Sequence, residues 1–469
     1  MKRLKWLWAT TAVVGLLSTT QAVQADTLKQ ALELAYANNP GLLAARAQLR
    51  ATDETVPIAL SGWRPSVTVN GNVTRARNES IIQGPIGSGA QFTGGTTLRT
   101  SQTASVGISQ PLFRGFSTMA DTAAAKASVK AQRARLKSSE QQVLLAAASA
   151  YFNVLRDIAV VELRTNNVQV LSRQLEATQD RFRVGEITRT DVAQAEARRS
   201  ASVSARILAE GNLQQSRASY VSVIGKEPEN LVTPDPLGSL PGSRDEALAV
   251  AAEANPTLVA ALFTAEAALE NIKSTRGDLL PTVTLEGQFS KGWDTIADQS
   301  ESEQASARAV LTVPLYQGGV VYARLRQAKH TAGQRRLEAD QARLDAKEAA
   351  TSTWEIYQSA KASIASIETQ IVASEIALEG VQREAEVGAR TVLDVLDAEQ
   401  ELLDARVSLV TAQRDQLVAT LQVLSSIGRL TAENIDLNVT IYDAEGHYDD
   451  VEGKFFGSSK SANADASRR

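Results

Sequence analysis

The sequence predicts a mixed α+β membrane protein built from an internal tandem repeat, in which very long helices carry short amphipathic strands. Three observations predict it. First, motifs recur in order. Asn39-Pro40 returns as Asn255-Pro256, and Arg64-Pro65-Ser66-Val67 as Leu280-Pro281-Thr282-Val283, both 216 positions later. Gln110-Pro111-Leu112-Phe113-Arg114-Gly115 returns as Val313-Pro314-Leu315-Tyr316-Gln317-Gly318, 203 positions later, as do Val184-Gly185 and Ile224-Gly225. The halves therefore differ by one gap of 13 residues between Pro65 and Pro111, which a loop absorbs at little entropic cost. Second, all 12 prolines lie at or before Pro314, with none between Pro111 and Pro228. Proline inside a helix costs about 3 kcal/mol, so the proline-free stretches are free to form uninterrupted helices. Third, four short runs alternate apolar and polar residues, the period of a strand with one apolar face.

The elements follow in chain order. Residues 1–25 read as a signal peptide: Lys2, Arg3 and Lys5 precede an apolar run from Trp6 to Leu17, and small residues precede Asp26. The apolar run falls short of the ~20 residues a span requires, which disfavours a membrane anchor. No later stretch reads as long and apolar enough to cross a membrane as a helix, so any crossing falls to strands. Repeat 1 covers 26–225 and repeat 2 covers 244–428, joined by a linker at 226–243. In repeat 1, Asn39 is the expected N-cap and Pro40 the first residue of a helix to about Gly62, kinked by Pro57 and stacked end to end on the later return helix.

A strand hairpin is expected over about 64–112, with runs of about 9–11 residues, the length of a tilted membrane strand. Val67, Val69, Gly71 and Val73 share one face, as do Ala104, Val106 and Ile108. The second hairpin, about 280–315, has Val283, Leu285, Gly287 and Phe289, then Ala307, Ala309, Leu311 and Val313. Glu286 and Arg308 fall on the opposite, polar face. Trp63, Phe113, Phe116, Trp293 and Tyr316 lie near strand ends, where an aromatic girdle sits.

Long helices are expected at about 116–183 and 319–386. Val154, Ile158, Val161, Val168, Leu175 and Phe182, and later Ile364, Ile367, Ile371, Leu378 and Val381, form heptad-like seams. Such a rod would be about 100 Å long at 1.5 Å per residue. Gly185 and Gly388 suit helix C′ positions, and return helices follow at about 188–225 and 391–428. Thr188 with Asp191, and Thr391 with Asp394, have capping-box spacing. Residues 429–469 read as a C-terminal segment whose tail, from about Asp443, is disordered by composition.

Composition narrows the function. The formal charge is −4, against a basic nucleic-acid binder. There are no cysteines and only two histidines, His330 and His447, so neither a thiolate site nor a histidine cluster can form. No nucleophile–base set is visible, so an enzyme is not expected, and no cofactor is implied. Four strands cannot close a barrel, and an open edge cannot persist in lipid. Several chains must therefore pool their strands: two give eight, whose interior side chains nearly fill, and three give twelve, wide enough for an aqueous lumen. The competing reading is a periplasmic coiled-coil adaptor or scaffold whose strands form a small soluble sheet.

The sequence also resembles the TolC-like outer-membrane efflux and type I secretion channel family. Leu28…Ala31-Leu32…Ala35…Asn38-Asn39-Pro40, Gly62-Trp63-Arg64-Pro65, Ser109-Gln110-Pro111-Leu112-Phe113, Val184-Gly185…Thr190-Asp191-Val192 and Val387-Gly388-Ala389-Arg390-Thr391-Val392-Leu393-Asp394-Val395-Leu396-Asp397-Ala398 carry the resemblance, over about 26–430. It implies a homotrimer in the Gram-negative outer membrane: a 12-stranded β-barrel, four strands per protomer, continuous with a long α-helical coiled-coil barrel in the periplasm. It implies a passive exit duct engaged by a periplasmic adaptor (membrane fusion) protein and an inner-membrane RND or ABC-type transporter. Some relatives carry a lipidated cysteine; with none here, the barrel would be the only anchor.

The resemblance also assigns site residues. Asp394 and Asp397 are i,i+3 and share a helix face; in a threefold assembly each would form a ring, and acidic rings favour cations. The family match places this pair at the periplasmic entrance. Capping accounts equally well for Asp394 alone. Arg390 is implied to bond across to Thr190 and Asp191, holding the entrance shut, although Ala385 stands where the family has an aromatic partner. The turns Val184-Gly185 and Val387-Gly388 are implied to dock the adaptor; plain helix termination accounts for them as well.

Overall fold

The structure, a computed structural model, describes residues 27–82, 93–234 and 238–458; the expected targeting segment lies outside the described residues. Strands come first because they set the geometry. β1 (Ser66–Ile82), β2 (Thr93–Arg114), β3 (Thr282–Trp293) and β4 (Glu301–Thr312) form one antiparallel sheet in chain order. Its register aligns Val69 with Val106, Val106 with Phe289 and Phe289 with Ala305, and likewise Leu285 with Ala309 and Val283 with Leu311. Directly paired residues point to the same side, so the four apolar rows merge into one continuous apolar face. Val69 is 75% exposed, Leu311 64% and Phe289 44%, because no long helix covers that face. On the polar side Arg308 donates to Glu286 across the β3–β4 pair at 2.6 Å.

The first hairpin is longer than the expected runs: β1 has 17 residues and β2 has 22. Side-chain chemistry explains the excess. On the apolar side of β1, Val73 is followed by Arg75 and Arg77, so the hairpin continues past the apolar band into a polar extension.

The sheet is continuous in sequence with α4 (Ser117–Arg183) and α8 (Val320–Glu386), each 67 residues long. Each returns through a helix, α5 (Arg189–Ile224) or α9 (Val392–Ser426). Ahead of the hairpins lie α1 (Leu28–Asn38), α2 (Pro40–Asp53) and α3 (Thr55–Leu60), and α6 (Arg244–Ala254) and α7 (Pro256–Gly277). Asn39 caps α2, and its amide donates to the Val223 carbonyl at the end of α5 at 3.0 Å. Asn255 does the same between α7 and Ser426 of α9 at 2.9 Å. One asparagine per half thus caps one helix and satisfies the end of another, stacking return helix on short helix to approach the length of the long rod. The break expected at Pro57 falls at Glu54, since the Pro57 ring displaces the carbonyl four residues earlier, that of Asp53. Lys273 occupies the matching place in α7, which runs unbroken.

Packing arranges the helices as a layer: α2 and α5, then α4, then α7 and α9, then α8. A main core joins α1, α2, α4, α5, α9 and the C-terminal segment around Leu32, Tyr151, Tyr220 and Leu430. The layer has two open edges, as the sheet does. On one, Ile207 and Leu208 of α5 are exposed; on the other, Leu337, Leu344 and Ile376 of α8 are exposed. The seam in α8 is only half-buried, and in α4 Ile158 and Phe182 turn outward.

Two expectations require correction. Ser117–Arg183 and Arg244–Gly277 do contain 18-residue windows of mean hydropathy 1.5 and 1.4, enough by length and composition to span a membrane. Alanine-rich helix packing accounts for these values: Leu144, Ala147, Ala148 and Tyr151, and Ala247 and Ala251, are buried against neighbouring helices. Nor is the chain structureless from Asp443. α10 (Gly446–Glu452) packs on α2 and α3, and residues are described as far as 458. Long-range bonds hold the chain from Ala432 through Tyr442 to His447. Glu140 accepts from Ala432 N–H at 2.7 Å, Glu33 from Asn438 N–H at 2.9 Å, and Tyr36 Oη from Tyr442 N–H at 3.0 Å. His447 Nδ1 meets fully buried Asp53 Oδ2 at 3.1 Å.

The glycines ending the two return helices give a graded test. Gly225 and Gly428 both have positive φ, +86° and +78°. A Cβ on Gly225 meets nothing, but one on Gly428 would lie 2.2 Å from the Ala254 carbonyl oxygen. Gly225→Ala should cost about 1–2 kcal/mol, from backbone strain alone; Gly428→Ala should cost clearly more. The thermal unfolding midpoint of the detergent-solubilised protein reads the difference.

Candidate entrance and gating site

The two helical tips repeat one construction. Gly185 N–H donates to Phe182 O at 2.9 Å and Glu186 N–H to Arg181 O at 3.0 Å. Gly388 and Ala389 donate equivalently to Ala385 and Glu384, at 3.2 and 2.8 Å. These paired bonds form a Schellman motif, which needs the left-handed φ of +80° and +79° at the two glycines. The turn leaves Val184 and Val387 79% and 80% exposed, bare apolar side chains at the ends of the hairpins.

Each return helix then opens with a complete capping box. Thr188 Oγ1 accepts from Asp191 N–H while Asp191 Oδ2 accepts from Thr188 N–H at 2.9 Å; Thr391 and Asp394 do the same, also at 2.9 Å. Hydrogen bonds from the backbone and hydroxyl of Thr391 hold the Asp394 carboxyl below its ordinary range, and those from Thr188, hydroxyl first, do so for Asp191. Both carboxylates thus remain charged in mildly acidic surroundings. Capping and charge are compatible roles for Asp394.

Asp397, one turn further, is exposed and bonds Arg198 of α5 at 2.5 Å. It thereby ties the second hairpin to the first. Arg198 was not singled out from the sequence; no spacing signal links it to Asp397, because 199 residues separate them. A small core beneath this bond, Leu171, Ala195, Val392 and Leu396, joins α4, α5 and α9. Within the chain Arg390 does not reach Thr190 or Asp191; its Nε donates to Glu384 Oε2 at 2.8 Å across its own turn. Arg181 and Glu186 form the corresponding pair on the first tip at 2.6 Å. Burial pushes the Glu399 carboxyl up, on the same helix as the two acids. Among the described residues no group of three or more His, Cys, Asp or Glu is placed to hold a metal ion.

An amphipathic sheet with two open edges, continuous with 67-residue helices that turn back at exposed tips of mixed charge, defines a membrane-embedded channel protein with a long helical part. The family described as "Outer membrane efflux protein" matches residues 31–226 and 247–429, and the chain belongs to it. The outer membrane efflux protein BepC of Brucella suis is 37% identical over 445 residues, covering 94% of each chain. Outer membrane protein TolC of Vibrio cholerae is 30% identical over 453 residues, 93% of this chain and 98% of that one. The Campylobacter jejuni CmeC outer membrane channel superposes with a TM-score of 0.77 over 96% of this chain and 98% of its own, at 14% identity.

Proposed function

We propose that three copies close into one outer-membrane duct, a 12-stranded barrel above a helical tunnel, through which efflux substrates or type I secretion cargo leave the cell. The single observation that carries this is the uncovered apolar face of a sheet whose outer strands β1 and β4 both lack partners among the described residues. Lipid satisfies the face, and neighbouring copies satisfy the edges. The helical layer carries the same two open edges, so one rotation closes strands and helices together, as a closed heterologous ring requires. Twelve strands leave room for water in the lumen, which eight do not. The scaffold alternative leaves Val69, Leu285 and Leu311 in water.

The duct does no chemistry of its own. Asp394 and Asp397 line its periplasmic entrance as stacked acidic rings that favour cations. Arg198 neutralises part of the Asp397 ring, the one further from the tip, while the hairpins are together, and Arg390 reaches Thr190 and Asp191 of a neighbouring copy as the entrance shuts. Exposed pairs of this kind are each worth under ~1 kcal/mol, so the lock is one that a docked adaptor can undo. That adaptor meets the bare Val184-Gly185 and Val387-Gly388 turns and links the duct to an inner-membrane RND or ABC-type transporter.

Conductance in planar bilayers tests the proposal. The purified protein should insert as discrete steps of low conductance, and Arg390→Ser should raise the resting step several-fold, as loss of an entrance constriction does. Absence of any conductance would contradict the duct; an unchanged step in Arg390→Ser would place the lock elsewhere.

A further inference from the structure

The residues just after α10 carry a feature that the duct does not use. Phe455 and Phe456 are 65% and 90% exposed, side by side with ring centroids 6.5 Å apart. Adjacent aromatics left in water beyond a folded helix are unfavourable unless something covers them. Their position is fixed. Arg64, two residues before β1, donates from Nη1 to the Lys454 carbonyl at 2.8 Å and lays its guanidinium over Phe455, 4.1 Å from the ring centre. Phe455 then lines an open groove of about 540 Å³ with Leu60, Trp63, Pro65 and Glu452. Pro65 directly precedes the first strand residue, so the aromatic pair sits level with the end of the sheet, beside Trp63. That is the depth at which amphipathic rings settle at a membrane–water boundary.

We propose that Phe455 and Phe456 carry the C-terminal segment into the phospholipid leaflet that borders the base of the sheet, giving each chain a peripheral anchor beside its strands. The proposal rests on the sheet being the membrane-spanning part. What argues for lipid as the occupant is continuity: the aromatic pair extends the apolar surface of the sheet through Pro65 and Trp63. The rest of the segment is pinned to the helical body by the Asp53–His447 contact and by Lys126–Glu452 at 2.8 Å. The anchor is therefore rigidly coupled to the helices below the barrel.

The absence of cysteine makes the test direct. Single-cysteine variants Phe456→Cys, Val69→Cys and Val184→Cys are labelled with an environment-sensitive fluorophore, and the full mature chain is reconstituted into phosphatidylcholine vesicles containing nitroxide-labelled lipid. The label at 69 reports the lipid-facing strand, and the one at 184 reports water. Quenching at 456 at least about threefold above that at 184, together with strong quenching at 69, supports the anchor. Quenching at 69 with none at 456 overturns the anchor and leaves the barrel intact. A label at 456 that is shielded from both water and lipid also overturns it, because a second copy then covers the pair. No quenching at 69 removes the barrel and the anchor together.

Discussion

Val69→Arg should keep the chain out of the outer membrane, while Asn70→Arg, one residue along the same strand, should not. The contrast follows from register. Val69 stands in the row Val69–Val106–Phe289–Ala305 on the uncovered apolar face, and Asn70 faces the polar side with Ser105. Arginine on the lipid face of a strand costs about 2–4 kcal/mol near the bilayer centre, and each copy in a ring adds its own share. A few kcal/mol per chain rivals the net stability of an ordinary domain. Leu285→Arg, paired with Ala309 on the same face, should behave like Val69→Arg. Fractionating cell envelopes and blotting for the chain in the outer-membrane fraction reads the outcome. Equal insertion of Val69→Arg and Asn70→Arg would mean that lipid does not touch this face.

Replacing both entrance acids should produce the second large effect. Asp394→Asn with Asp397→Asn should lower the cation-to-anion permeability ratio several-fold and weaken block by divalent cations on the order of tenfold. Asparagine is the better choice at 394, because its side-chain oxygen can still accept from Thr391 N–H; alanine would remove that half of the capping box as well as the charge. The pH dependence has a defined sign. The Asp394 carboxyl is held below its usual range by Thr391. Its charge, and the stability it adds, are therefore present above the ordinary carboxylate pKa and are lost only as the pH falls through the lowered value. Cation preference should accordingly persist through mild acid and fade below the normal carboxylate range. Unchanged selectivity in the double variant would remove these residues from the lumen.

Much of this architecture is legible in sequence because it depends on local rules. Missing prolines leave α4 and α8 uninterrupted, positive-φ glycines end them, and Thr–x–x–Asp restarts the chain. Alternation identifies the strands, and the matching motifs of the two halves say which elements correspond. The failures share a different cause. The tail from about Asp443 reads as disordered because of its Gly, Ser, Ala and charge content; Asp53 and Lys126, more than 320 residues away, hold its first part through His447 and Glu452. Alternation marks where strands are amphipathic, so it missed the polar extension of the first hairpin beyond Val73. The Arg198–Asp397 bond was invisible because it joins two hairpins that meet only in the folded chain. Arg390 carries a different lesson: a position matched to a family motif found its nearest partner, Glu384, within its own turn.

Identical chains that pool their strands can separate water from lipid where one chain cannot. Native mass spectrometry of the mature protein extracted from envelopes tests this most directly. A detergent-dependent particle with the mass of three chains is the expected result; a monomer that remains dissolved in plain buffer would contradict it.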